Sequence, residues 1–354
     1  LANCSFIYDN FISDYTKFYY VTDTKKGIVS AAVKNGTGSA LMPTQGDFTG
    51  SSALDLEYIV EIDLAGEVGT ATFKWTDTPG SWTATGVTTS SSWITLSYGV
   101  QVRFLTGTGT DCELGDSWFF KGINTWSIGN VLRYDRDKTW RSEGVSQYTD
   151  IRVDFGEAKI PKVVILYDHN ISSAGVINFQ GNSSDVWTSP GFTTLITRTE
   201  SRTIKYINPP SFRYWRLTIT NPTNPDGYID LSHYFLGNCF IPEKNFDYGS
   251  GNRSSTDIII ENSTLNGIVR RSFLNRSREF RYNFSYITDI DTLFSVYESL
   301  GVGVVKQSKA LFFHEDSSST VDFWMTWMDS LDRTYSTHNT ESTSITLREV
   351  LRSV

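Results

Sequence analysis

From Leu54 to Trp75 apolar and polar side chains alternate, LDLEYIVEIDLAGEVGTATFKW, with glycines 66 and 69 in the middle. A period of two sends successive side chains to opposite faces of a strand, so this stretch predicts two strands joined by a turn. Strand-like runs follow at 93–105 (WITLSYGVQVRFL) and 111–122 (DCELGDSWFFKG), separated by the turn residues GTGT of 107–110. Residues 27–122 are therefore expected to form a small antiparallel β-sandwich. The same alternation recurs at 151–156, 162–170, 175–181, 202–207, 214–220 and 227–237. Prolines 190, 209, 210, 222 and 225 fall between these runs, where a missing backbone N–H breaks no ladder. Short strands with polar turns predict a second sandwich or jelly roll.

The pattern changes beyond about residue 243. In TDIDTLFSVYESLG (288–301), Ile290, Leu293, Phe294, Tyr297 and Leu300 take the spacing of an amphipathic helix. Thr288 and Asp291 are placed as a capping box, and Gly301 can end the helix. Strand-like REFRYNFSYI precedes it, and ALFFHED, TVDFWMTWM and STSITLREVL follow. The last third is expected to be a β-rich α+β domain with one helix, in a chain that is mainly β.

Composition narrows the chemistry. Charged residues are 20% of the 354 and the net charge is −8, so there is no basic field for a nucleic acid. Aromatics at 14% and many turn-forming residues suit a β protein. Cys4, Cys112 and Cys239 lie far apart and match no metal spacing, which predicts buried free thiols. No run of 18 apolar residues and no signal-peptide order is present, so a soluble chain without membrane insertion is expected. Eight Asn-x-Ser/Thr triplets arise readily in a chain this rich in Asn, Ser and Thr.

No catalytic signature is legible: HExxH, GxSxG, a phosphate loop and GxGxxG are all missing, and the four histidines at 169, 233, 314 and 338 are scattered. The expectation is a protein that is not an enzyme, has no cofactor and binds no metal. The oxygen-rich stretches 221–227 and 135–137 fit no complete calcium loop and read as turns.

The segments DKTWRSEG (137–144), DIRVDFGEAKIPKVVILYDHNI (150–171), DVWTSP (185–190) and FRYWRLTITNPTNPDGYIDLSHYFLG (212–237) come in an order that resembles the discoidin, or coagulation-factor C-type, module. That resemblance implies a galactose-binding-like jelly roll over 123–242, with ligands held by loops at one end. The loop residues it points to are Arg136, Asp137, Trp140, Arg141, His169 and Asn170. Residues 1–26 contain FIYDNFISDY, which resembles the module's opening strand, so 27–122 would be an insertion. Read from the residues themselves, Trp187, Arg213, Trp215 and Arg216 are a structural cluster. Arg213 and Arg216, three apart on a strand, point to opposite faces, and together with Arg141 they are expected to bond to carbonyls or to carboxylates such as Glu143, Asp150 and Asp154.

Two further resemblances point to a particle. The 58–82 and 96–121 segments resemble a sandwich of tailed-bacteriophage structural proteins, and 243–354 resembles the hub-type domain of phage tail tips and baseplates. They imply a virion structural protein, made in the host cytoplasm, whose C-terminal domain assembles with itself into a ring, trimeric or hexameric, and with other tail proteins. Phe280, Phe284, Leu347 and Glu349 are the assembly residues this implies. The alternative is a carbohydrate-binding adhesin for a cell-surface glycan.

Overall fold

The computed structural model describes residues 3–22, 24–49, 55–78, 80–134, 138–144, 149–247, 249, 251–263, 269–287, 290–299, 310–319, 323–337 and 340–350. Their structure is mainly antiparallel β, with one α-helix among the described residues, Ile290–Ser299. No helix among them is long and apolar enough to cross a membrane. The chain forms two compact units, one of residues 1–22, 130–139 and 144–354, the other of 23–129 and 140–143.

In the second unit, strand Leu56–Leu64 pairs with Thr72–Thr76 on one side and with Ser117–Ile123 on the other. Tyr58, Val60 and Ile62 point inward with Phe73, Phe104 and Trp118, which is the face the alternation assigns to the core. The 93–105 run is not one strand. Ile94–Thr95 and Gln101–Val102 pair with each other across a 3-10 turn, Ser97–Gly99, in which Tyr98 (φ 53°) and Gly99 (φ 76°) are left-handed. A Cβ at Gly99 would lie 2.6 Å from the Asp47 carbonyl oxygen, so the turn requires glycine there. Apolar residues at 94, 96, 98, 100, 102 and 104 keep the period of two straight through this turn, which hides it in the sequence.

The first unit has two main sheets. One runs Phe192–Ile196, Val176–Asn182, Phe212–Thr220, Thr149–Lys159, Phe18–Val21. The other runs Arg202–Tyr206, Val163–His169, Asp230–Phe240, Ser5–Asn10, Leu311–His314, Phe323–Thr337, Thr340–Glu349, Val269–Ile287, Asn252–Ser263. Strand Val163–His169 is buried on both faces: Val163, Ile165 and Tyr167 join Phe312, Phe323 and Met325, while Val164 and Leu166 are buried on the opposite side.

Ser5–Asn10 is hydrogen-bonded to Asp230–Phe240 on one edge and to Leu311–His314 on the other. The segments 123–242 and 243–354, expected as separate domains, thus contribute strands to one sheet and side chains to the same two core clusters. The helix adds Leu293 and Val296 to a cluster with Phe6, Phe280, Tyr282, Phe313 and Leu347. Its expected cap residues, Thr288 and Gly301, lie outside the described residues, as do Leu300 and the side chains of Ile290, Phe294 and Tyr297.

The residues expected to carry assembly need correction. Phe280, Phe284 and Leu347 are at most 1% exposed in the chain's own core, and Glu349, also buried, accepts hydrogen bonds from Arg278. Their apolar bulk is spent on internal packing, which leaves nothing for a neighbour to touch. Cys4, Cys112 and Cys239 form no disulfide with one another, and the first two are fully buried.

Candidate functional site

Near its end the strand Val163–His169 carries a left-handed Asp168 (φ 50°), a conformation Asp tolerates better than most residues; His169 still pairs with Leu231, and the chain leaves the strand at Asn170. Asn170 then holds the neighbouring 226–230 segment. Its Nδ2 donates to Asp226 Oδ2 (2.8 Å) and the Tyr228 carbonyl (3.0 Å), and its Oδ1 accepts the Asp230 N–H (2.7 Å). Asn224 donates to the Asn170 carbonyl and accepts from the Asp226 N–H, which shapes the Pro-Asp-Gly turn.

An open cavity of about 350 Å³ results, lined by Thr139, Asp168, His169, Asn170, Ser201, Asp226, Tyr228, Asp230 and Ser232. Three carboxylates, an amide, hydroxyls and one aromatic ring suit a neutral polyhydroxyl ligand, whose hydroxyls both donate and accept.

His169 shapes this site without facing a ligand. It is 4% exposed; its Nδ1 accepts the Ile171 N–H (3.3 Å), so Nε2 carries the proton and donates to Thr203 Oγ1 (2.9 Å). Burial, then the nearby Arg198 charge, push its pKa down to about 4. With both ring nitrogens engaged inside the fold, it is a turn anchor and no base.

The remaining expected loop residues divide. Arg136 and Asp137 lie outside the described residues. Trp140 and Arg141 belong to the second unit. There Trp140 is fully buried, with Nε1 donating to Thr24 Oγ1 (3.0 Å), so its ring cannot stack on a ligand. The Arg141 carbonyl accepts the Lys25 N–H, and its guanidinium lies 5.8 Å from the Trp126 ring centroid. Of the six residues, the structure therefore brings His169 and Asn170 together at the cavity. Asp226 lies in the NPTNPDG stretch (221–227) that was read as a plain turn, and Tyr228 and Asp230, just after it, were missed.

The cluster read as structural splits between two faces. Trp215 is fully buried, stacked on Phe179 (5.2 Å, 11°), with Nε1 donating to the Phe212 carbonyl. Arg213 makes a two-pronged pair with Asp154 (2.7 Å to each oxygen), and this hydrogen bonding holds the Asp154 carboxyl below its usual range. Arg216 reaches Asp150 (2.8 Å) and lies 5.6 Å from the half-buried Trp187 ring.

No family model and no curated protein matches the chain. Solved structures do, over about a third of it. A Ruminococcus gnavus GH29 fucosidase in complex with fucose is 12% identical, with 34% of this chain and 23% of that one covered at a TM-score of 0.28. The chitosan-binding module 1 of a Paenibacillus sp. IK-5 chitosanase/glucanase is 20% identical (31% and 88% covered, TM-score 0.23). A Streptococcus pneumoniae fucose-binding module is 12% identical (31% and 80% covered, TM-score 0.24). The chain thus spans about a quarter of the fucosidase's length, and the modules it is similar to bind sugars.

Proposed function

We propose that the first unit is a glycan-binding module that holds the terminal sugar of a cell-surface glycan in the Asn170 cavity. The observation that carries this is the cavity itself. Asn170 fixes the backbone of the 226–230 segment, and the side chains of Asp168, Asp226 and Tyr228 line the same opening. Such preorganised acceptors beside an aromatic ring recognise hydroxyls without ordering cost at binding. Binding, with no bond made or broken, is the activity this arrangement serves.

The test is a printed array of neutral glycans, read with the wild-type chain and with Asp226→Ala. The expected result is retention on a subset of glycans, weakened about tenfold or more by the substitution, the loss of a charge-assisted hydrogen bond. Retention on no neutral glycan, or equal retention by the variant, would sink the proposal.

A second reading is assembly of copies of the chain with one another, the arrangement a phage tail tip would need. Strand Asn252–Ser263 stands last in its sheet order, and its outer edge can pair with a neighbouring copy. Light scattering on the purified chain is expected to give a trimeric or hexameric mass under that reading. A monomer at all concentrations removes its support.

A further inference from the structure

The five-stranded sheet buries one face, with Ile151, Val153, Phe179, Trp215 and Leu217 inside. Its other face carries a built platform. Tyr20, Arg152, Arg216 and Gln180 stand in register on four adjacent strands. A bulge makes Arg152 oppose Tyr20 while Val153 opposes Phe18, so Tyr19 is the extra residue. Both tyrosines are exposed, Tyr19 at 38% and Tyr20 at 43%.

The rings are locked in place. The Asp185 carboxylate accepts from the Tyr19 hydroxyl (2.7 Å), Trp187 Nε1 (2.5 Å) and Arg152 Nη1 (3.2 Å). Burial alone would raise the Asp185 carboxyl, but these donors hold it below its ordinary range. The Arg152 guanidinium lies 4.3 Å from the Tyr20 ring centroid and 5.9 Å from that of Trp187. Beneath this layer, Asp150 Oδ1 and Arg216 Nε are buried with no hydrogen-bond partner, and the Asp150 side chain is 1% exposed.

We infer that this face is a second binding surface, for a neutral polysaccharide chain laid across the strands. Charge decides the class of ligand: Arg152, Arg213 and Arg216 are already neutralised by Asp150, Asp154 and Asp185, which leaves no net field for a polyanion. Rigid rings then offer apolar surface to the C–H faces of sugars, and the arginines and Gln180 bond to hydroxyls. Three strand spacings, about 14 Å from Tyr20 to Gln180, accommodate several linked sugar units. The surface is separate from the Asn170 cavity, which takes a chain end, and neither reading needs the other.

Native electrophoresis of the full chain through gels holding hydroxyethylcellulose, galactomannan, arabinoxylan or pectin tests it. At least one neutral polymer is expected to retard the wild type, and Tyr20→Ala to weaken that retardation about tenfold, while Tyr20→Trp preserves it. Asp226→Ala, which alters the cavity alone, separates the two readings by keeping its retardation. Normal mobility in every neutral gel, retardation by pectin alone, or equal retardation of Tyr20→Ala each overturns the inference. So does a concentration-dependent mass that Tyr20→Ala abolishes, since the face would then be covered by a second copy.

Discussion

Replacing Asp150 by alanine is expected to lower the stability of the first unit by about 3–5 kcal/mol, the cost of leaving buried charges without their partner. Arg152 and Arg216 sit directly opposite each other on neighbouring strands, a placement that destabilises a sheet when the charges are alike. Asp150 resolves it. Its Oδ2 accepts from Arg152 Nε (3.1 Å) and Nη2 (2.9 Å), and pairs with Arg216 Nη2 (2.8 Å). The arginine side chains are only 20% and 15% exposed, so water cannot replace the carboxylate. Urea unfolding reads the effect as a lowered midpoint with an unchanged slope. Replacing all three residues with leucine should recover most of the loss, because an apolar trio carries no desolvation cost. A loss under about 1 kcal/mol for Asp150→Ala would mean the pair behaves like an exposed one and that the platform is soft.

The same residues show what was readable in advance. That Arg213 and Arg216 would take carboxylate partners was readable as a residue type; strand alternation, which sends the two arginines to opposite faces, does not single out Asp154 and Asp150, which share a face of their strand, as those partners. The platform they belong to was not readable. FYYV places two tyrosines side by side, and a period of two assigns them to opposite faces. Only the bulge, which depends on pairing with a strand about 130 residues further on, exposes both. The Asn170 cavity was half readable for a related reason. Its first loop follows an obvious strand, but the partner loop is brought in by three hydrogen bonds of one amide, and sequence carries no sign of which turn will meet which. Trp140 shows the converse. Read from the residue itself it is a core or core-edge ring, only the resemblance places it on a ligand loop, and in the structure it is buried against Thr24. The helix and most strands are written in periodicity. The sharing of one sheet by residues 5–10, 230–240 and 311–314 is not, because sheet neighbours can be any distance apart along the chain.

Between pH 6.5 and 4 the chain is expected to lose on the order of 3 kcal/mol of stability through His169, the linkage value of a pKa that falls from 6.5 to about 4 on folding. The sign follows from proton counting. Unfolded, the imidazole takes up a proton near 6.5; folded, it resists until about 4, so the unfolded chain holds more protons in that window and stability rises with pH across it. The contribution is complete above the unfolded value, and below the folded value the loss is complete. Protonating the ring would place a second donor at Nδ1 against the Ile171 N–H, in a buried position beside the Arg198 charge. The turn fixed by His169 leads directly into Asn170 and its clamp on the 226–230 segment. Acid should therefore open the cavity before the rest of the unit melts, and glycan retention should fall within the same window. The measurement is the urea midpoint at intervals of pH for the wild type and for His169→Gln, which cannot titrate. A flatter profile for the variant between pH 6.5 and 4 is the expected outcome, and identical profiles would remove His169 as the cause. Carboxylates held low, such as Asp154 and Asp185, lose their contribution only at lower pH, so the window isolates the imidazole from them.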